Sequence, residues 1–362
     1  MTSLGSIDDI ENSGVAMAGI EDVARAAGVS TATVSRALNG NPHVSEPTRK
    51  RVADAAAALG YVVSSNASSL ASGRTKNIGA VVPHLNRWFF SSVIEGAERA
   101  LLRRGYDLTL YNLSGSGDER RTVFENHLLR KRVDAVIAVS LELTEAEVGR
   151  LIALGKPLVG VGGPLPGVRT LTIDDRAVAK LATDHLIALG HRRIAHIGGD
   201  KEFDLDFHIP TNRRMGYQQA LDEAGIPLQP ALFQTADFTI AGGYRAAKQL
   251  LGAPRDRPTA IFAASDEMAI GSILAARDLG LSVPRDISIA GVDDHELADF
   301  FQLTTVAQFP DRQGELAVEV LMQALEPAPT PDALPEHDAS ATIPVPYQLV
   351  VRNSTSRPLD TA

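Results

Sequence analysis

The chain has 362 residues, 44% of them apolar, no cysteine and a formal net charge of −9. That length exceeds one ordinary domain, and the apolar share supports well-filled cores. The missing cysteines exclude disulfides and thiolate metal sites, and no apolar run approaches the ~20 residues of a membrane-spanning helix.

Residues 1–19 carry Asp8, Asp9 and Glu11 and no base. They read as a disordered lead-in without the basic-then-apolar pattern of a secretion signal, which points to a cytoplasmic protein. From Ile20 to Tyr61 the pattern is helical. Ile20, Val23, Ala24 and Ala27 share one face, and Ala27-Gly28-Val29-Ser30 follows. Gly28 suits a sharp turn that needs positive φ. Ser30 is placed to cap a second helix that Thr31 opens, with Val34, Ala37 and Leu38 on its inner face. Two short helices joined this way form a helix-turn-helix, whose second helix enters the DNA major groove. A third helix follows, with Ser45 at its N-cap and Pro47 in its first turn. Val23, Val34, Leu38, Val52 and Leu59 read as the mini-core.

The whole-chain charge hides a local excess of base. Between Ile20 and Lys76 seven bases face four acids. Phosphate affinity follows such local charge, not the sum. Arg36 is the candidate for base readout, because a guanidinium bonds guanine O6 and N7 bidentately. Ser30, Thr33, Asn39, Ser45 and Thr48 suit phosphate contacts, which set register, and Ser35 lies with Thr31, Thr33 and Arg36 on the DNA-facing polar side of the second helix.

Residues 62–76, VVSSNASSLASGRTK, are Ser-rich and read as a linker. Beyond them strands and helices alternate. NIGAVVP, YDLTLYNL, VDAVIAVS, KPLVGVGG, VRTLTID, RRIAHIGG, TAIFAAS and ISIAGVDD are strand runs. Helices are expected over Phe90–Gly105, Thr122–Arg130, Glu145–Leu154, Asp174–Leu189, Arg213–Ala224 and Asp266–Leu279. The alternation implies parallel sheets covered by helices. One sheet would need about ten strands, so two α/β subdomains are expected. The Pro-rich EPAPTPDALPEHDAS (residues 326–340) reads as an exposed loop.

DVARAAGVSTATVSRALNG, followed by VSEPTR and ALGY, resembles the headpiece of the lac repressor (LacI/GalR) family of bacterial transcription regulators. The similarity runs roughly from residue 20 to 355. It implies a homodimer on a pseudo-palindromic operator and a two-lobed sensor related to periplasmic sugar-binding proteins. The expected fold is therefore an all-α headpiece (20–61), a hinge linker (62–76) and an α/β sensor of two doubly wound parallel sheets (77–355), with a tail at 356–362. Lobe 1 is expected at 77–174 and 306–343, lobe 2 at 175–305 and 344–355. No heptad-rich tail follows Arg352, which favours a dimer over a tetramer.

The resemblance also implies site residues. Thr31 and Ala32 match the positions that vary with operator sequence. Leu70 matches a leucine that wedges the minor groove once the linker orders into a hinge helix. Val63-Ser64 replaces the usual Pro-Asn before it. In the sensor, Arg213 and Asp293 match polar ligand contacts, and Ser265 stands at an Asn position. Gln308 matches a contact near the lobe crossover, Phe238 an aromatic stacking position, and Phe89 and Phe90 the mouth of the first sensor helix. Val161-Gly162-Gly163 replaces a stretch where some relatives carry a ligand-binding Asp. The acidic, aromatic DKEFDLDFHIP (200–210) is placed to line or cover the cleft.

A small polar, sugar-like effector is the expected signal, and no cofactor or metal is expected. Two rivals are a sugar-binding protein without a DNA role and a dinucleotide-binding enzyme. GVGGPLPG does not reproduce G-x-G-x-x-G with its trailing helix. The histidines show no H-E-x-x-H spacing, and no Ser-His-Asp signature is present.

Overall fold

The computed structural model describes residues 18–38, 40–61, 74–113, 117–124, 133–140, 143–153, 155–199, 208–325 and 342–359. The chain divides into two compact units, Met1–Lys76 and Asn77–Ala362.

The first unit holds α1 (Ile20–Ala27), α2 (Thr31–Leu38) and α3 (Glu46–Ala58). Gly28 ends α1 in the left-handed region at φ 66°, where a Cβ would add strain. The next amide, that of Val29, reaches back to the Ala24 carbonyl at 3.0 Å. That bond closes a Schellman turn and redirects the chain. Ser30 Oγ then accepts the Thr33 amide at 3.2 Å and caps α2. Ser45 occupies the N-cap of α3 but makes no capping bond to the backbone. Its hydroxyl pairs instead with that of Thr48 at 3.0 Å.

Val23, Ala24, Ala27, Val34, Ala37, Val44, Val52 and Ala56 form the core, with Leu38 packed against it. Leu59 is not part of it and is 39% exposed. It shares a helical face with Val52, but α3 ends at Ala58, so position 59 projects past a bundle this small. Tyr61 packs there instead.

The second unit carries two six-stranded sheets among the described residues. The first has the order β2-β1-β3-β4-β5-β11. Its strands are Asn77–Val82, Asp107–Asn112, Ala135–Val139, Leu158–Gly162, Arg169–Thr172 (β1–β5) and Thr342–Pro344 (β11). The second has the order β7-β6-β8-β9-β10-β12. Its strands are Ile194–Gly199, Phe233–Ala236, Ala260–Ala263, Ser288–Asp293, Thr304–Ala307 (β6–β10) and Gln348–Val350 (β12). All pairings are parallel except that of β12 with β10. The two parallel sheets expected from the sequence are present, and the short edge strand β12 adds one antiparallel pairing. Only three residues, Val345–Tyr347, separate β11 in the first sheet from β12 in the second. β10 keeps the chain in the second sheet through Ala307, two residues beyond the expected crossing at Thr305, and Pro344 still belongs to the first.

The covering helices are α4 (Trp88–Leu102), α5 (Gly117–Thr122), α6 (Glu145–Ala153), α7 (Asp175–Ala188), α8 (Ile209–Glu223), α9 (Ile240–Leu251), α10 (Asp266–Asp278) and α11 (Pro310–Leu325). Two of them, α9 and α11, were not read from the sequence, and three more differ from the reading. α4 starts two residues before Phe90, and α8 four residues before Arg213, on Pro210 near its first turn. α5 lies upstream of Thr122, and 125–132 fall outside the described residues.

The first lobe is closed by α4 against α11 at unusually short range. A Cβ on Gly96 would overlap the Asp311 carbonyl, and one on Gly314 would overlap that of Val93. Arg99 and Arg103 tie the rim to Asp311 and Glu315 at 3.2–3.4 Å. Gly314→Ala forces the helices apart, and overpacking of this kind costs roughly 1–3 kcal/mol. Urea unfolding of the second unit should show that loss. An unchanged midpoint would mean the helices separate freely.

In the second lobe, His196 on β6 is fully buried. Its ring stacks on Phe262 (4.9 Å) and Tyr217 (5.0 Å). Nδ1–H donates to the Phe262 carbonyl at 3.1 Å, while Nε2 has no partner among the described residues. Burial pushes its pKa down to about 4. The unfolded chain takes up this proton below about 6.5 and the native state only near 4. Its contribution to stability is therefore lost as pH falls through that window. Asp266, raised by burial, acts in the opposite sense. His196→Phe leaves Asp266 in place and removes only the histidine. Going from pH 7 to pH 5, the variant should gain about 2 kcal/mol relative to the parent. Parallel pH–stability curves would show that His196 is not held neutral.

Candidate functional site

On the first unit, the outer face of α2 presents Thr31, Ala32 and Arg36, all exposed, with Ser30 at its start. Arg36 makes no ion pair among the described residues. Thr33 and Ser35 are half-buried, as is Thr48 on α3, while Ser45 is exposed. Arg49, which the sequence reading left unassigned, is a structural tie. Its Nη2 donates to the carbonyls of Asn41 and Val44 at 3.3 and 3.4 Å and clamps the turn before α3. Asn39 and Leu70 lie outside the described residues.

The second unit contains a cleft of about 160 Å³. Its lining follows the carboxyl ends of β1, β3, β4 and β5 in one sheet and of β7 to β10 in the other. Ligands in open α/β sheets bind at such points, beyond the carboxyl ends of the strands. Phe89 and Phe90 line it from the start of α4, with Phe90 also buried in the first lobe's core. Arg213, Phe238, Ser265, Asp293 and Gln308 line it from the second lobe and the crossover. These seven residues come from segments up to 219 positions apart.

The polar members are bonded to groups of the protein itself. Arg213 is 4% exposed. Its Nε donates to Asp175 Oδ1 at 2.8 Å, and Nη1 donates to the Ala264 carbonyl. Burial raises the Asp175 carboxyl more than this guanidinium lowers it. Asp293 Oδ1 accepts from Gln308 Nε2 at 2.6 Å, and the Gln308 carbonyl accepts from Gln313 Nε2 at 2.8 Å. Burial pushes the Asp293 carboxyl well above its usual range, against the pull of Arg213. Ser265 caps α10 by accepting the Met268 amide at 3.3 Å, so part of its bonding capacity is spent on the helix. Phe238 is both wall and core: it lines the cleft and packs on the second lobe's apolar cluster.

Backbone strain gathers here. Ser140, Phe238 and Asp293 have φ of 39°, 56° and 130°. Non-glycine residues held this way cost about 1–3 kcal/mol each and concentrate at functional sites.

Sequence reasoning missed several cleft residues. Arg87 donates to the Phe238 carbonyl at 3.4 Å across the cleft, and the Trp88 and His295 rings meet at a tilt with centroids 4.7 Å apart. Ser140, Asp237 and Glu267 also line it. The single tryptophan of the chain, placed next to Phe89-Phe90, was the one signal that could have flagged this wall. The remaining residues have no local mark. The 200–207 part of the acidic insert lies outside the described residues. No described helix is long and apolar enough to cross a membrane.

Comparison with known proteins agrees with both units. Residues 19–64 match the model of the bacterial regulatory proteins of the lacI family, and 183–355 match the periplasmic binding protein-like domain. Catabolite control protein A of Priestia megaterium is 34% identical over 340 residues, covering 93% of this chain and 98% of the relative. The ribose operon repressor of Escherichia coli (strain K12) is 37% identical over 316 residues, covering 85% and 93%. The crystal structure of the lac repressor dimer bound to operator and the anti-inducer ONPF superposes with a TM-score of 0.78 at 27% identity, covering 94% and 99%. This chain belongs to the lacI family of bacterial regulatory proteins.

Proposed function

We propose that the protein is a homodimeric, cytoplasmic transcriptional repressor without enzymatic activity. It reads a pseudo-palindromic operator through α2 and responds to a small polar, sugar-like effector in the sensor cleft. The observation that carries the effector half is the convergence of Phe89, Phe90, Arg213, Phe238, Ser265, Asp293 and Gln308 on one cavity. On the DNA side, Arg36, Thr31 and Ala32 meet base edges, Ser30, Thr33, Asn39, Ser45 and Thr48 hold phosphates, and Ser35 faces the DNA beside them. Leu70 wedges the minor groove. An effector touching both lobes favours one lobe arrangement and shifts operator affinity only by its differential affinity for the two states. Operator DNA then changes effector affinity by the same factor.

The test is calorimetric titration of a sugar and nucleoside library, with and without DNA from upstream of the protein's own gene. One compound should bind at the cleft, and its affinity should change when operator is present. A compound whose affinity ignores operator is not the signal. Failure of the protein to prefer any upstream fragment over scrambled DNA would overturn the repressor reading.

A further inference from the structure

Ser140 follows β3 at the floor of the cleft and is 1% exposed. Its Oγ is buried and has no hydrogen-bond partner among the described residues. Its backbone is held at φ 39° by a bond from its amide to the Val161 carbonyl at 2.6 Å. Gly162 lies against it at φ 106°, and a Cβ there would overlap Ser140 Oγ. Glycine at 162 thus leaves room for a hydroxyl that the protein itself does not satisfy. A buried, unbonded hydroxyl costs about 1–3 kcal/mol, so such a group is expected to have a function.

The opposite wall is rich in carboxyl groups. Asp237, Glu267 and Asp293 all line the cleft. The two guanidiniums on the lining are Arg213, committed to Asp175, and Arg87, which reaches the Phe238 carbonyl. Thr239 Oγ1 donates to Asp237 at 2.6 Å, and the charges of Arg245 and Arg87 help keep Asp237 ionised. Burial raises Glu267 and Asp293, and neighbouring carboxylates raise them further. An added phosphate would stand against the ionised Asp237 and favour protonation of Glu267 and Asp293 still further, whereas a neutral hydroxyl can donate to a carboxylate or accept from a protonated carboxyl.

We propose that the cleft selects an uncharged, polyhydroxylated ligand, one of whose hydroxyls bonds Ser140 Oγ, and that the Asp237–Glu267–Asp293 wall rejects the phosphorylated form of the same ligand. This rests on the cleft being the effector site. A sugar hydroxyl both donates and accepts, so it satisfies Ser140 on one lobe and the carboxyls on the other. Aromatic side chains at Trp88, Phe89 and Phe238 supply the apolar faces that a sugar ring needs.

The experiment uses the full-length protein and a panel of pentoses, hexoses and nucleosides, each paired with its phosphate ester. Binding is read by calorimetry and thermal shift for the parent, Ser140→Ala and the double variant Asp237→Asn/Glu267→Gln. A neutral compound should bind at least 100-fold more tightly than its ester. Ser140→Ala should weaken it at least 10-fold without lowering the unliganded melting temperature. The double variant should narrow the gap between neutral and ester forms. If Ser140→Ala does not fold, the ester comparison on the parent and the double variant decides. An ester that binds as tightly as its parent compound overturns the inference and leaves the effector reading standing. Undiminished binding by a folded Ser140→Ala also overturns it. If no member of the panel binds, the inference and the effector half of the proposed function both fall.

Discussion

Arg213→Ala is expected to destabilise the sensor by roughly 3–5 kcal/mol, in addition to abolishing effector binding. Arg213 and Asp175 have side chains only 5% and 6% exposed, with 2.8 Å between Nε and Oδ1. Removing the guanidinium strands a buried carboxyl that burial already raises. Asp175 then escapes the penalty by taking up a proton, so the loss should shrink toward pH 5. For this reason the single variant is a poor probe of binding. Arg213→Met with Asp175→Leu removes both charges and fills the space. Buried pairs replaced by apolar side chains of similar volume are often neutral or stabilising. The double variant should therefore unfold near the parent midpoint and still fail to bind effector. Retained binding would make Arg213 a purely structural tie. A single variant within about 1 kcal/mol of the parent would show that Asp175 finds water or another partner.

The second large effect belongs to Arg36. Arg36→Ala should leave the headpiece folded, because the side chain is exposed and makes no ion pair among the described residues. It should cost operator binding about 1–3 kcal/mol per half-site, and a dimer incurs that loss twice. Binding to scrambled DNA should change far less. Titrations at several salt concentrations separate the possibilities. Equal losses on both DNAs, with a salt slope reduced by about one per half-site, would make Arg36 a phosphate contact.

How much of this was legible in the sequence follows from the range of the interactions. The headpiece is made of local contacts. The Gly28 turn, the Ser30 cap and the alternation of Val34 and Ala37 against Arg36 all act within four residues, so the motif shows in the order of residues. Strand runs such as NIGAVV and AVIAV are likewise self-evident, because parallel strands are buried on both faces and carry no polar alternation. The seven effector candidates were found through family resemblance, not through any local rule.

Only the tertiary structure decided the rest. It paired Arg213 with Asp175, 38 residues away, and Arg87 with the Phe238 carbonyl, 151 residues away. It turned the last strand of the second sheet antiparallel and excluded Leu59 from the mini-core. It buried Ser140 Oγ beneath Gly162, although neither residue stands out in the chain. Capping and periodicity are properties of a few consecutive residues, so a sequence displays them. Desolvation and charge pairing depend on which distant segments the fold brings together.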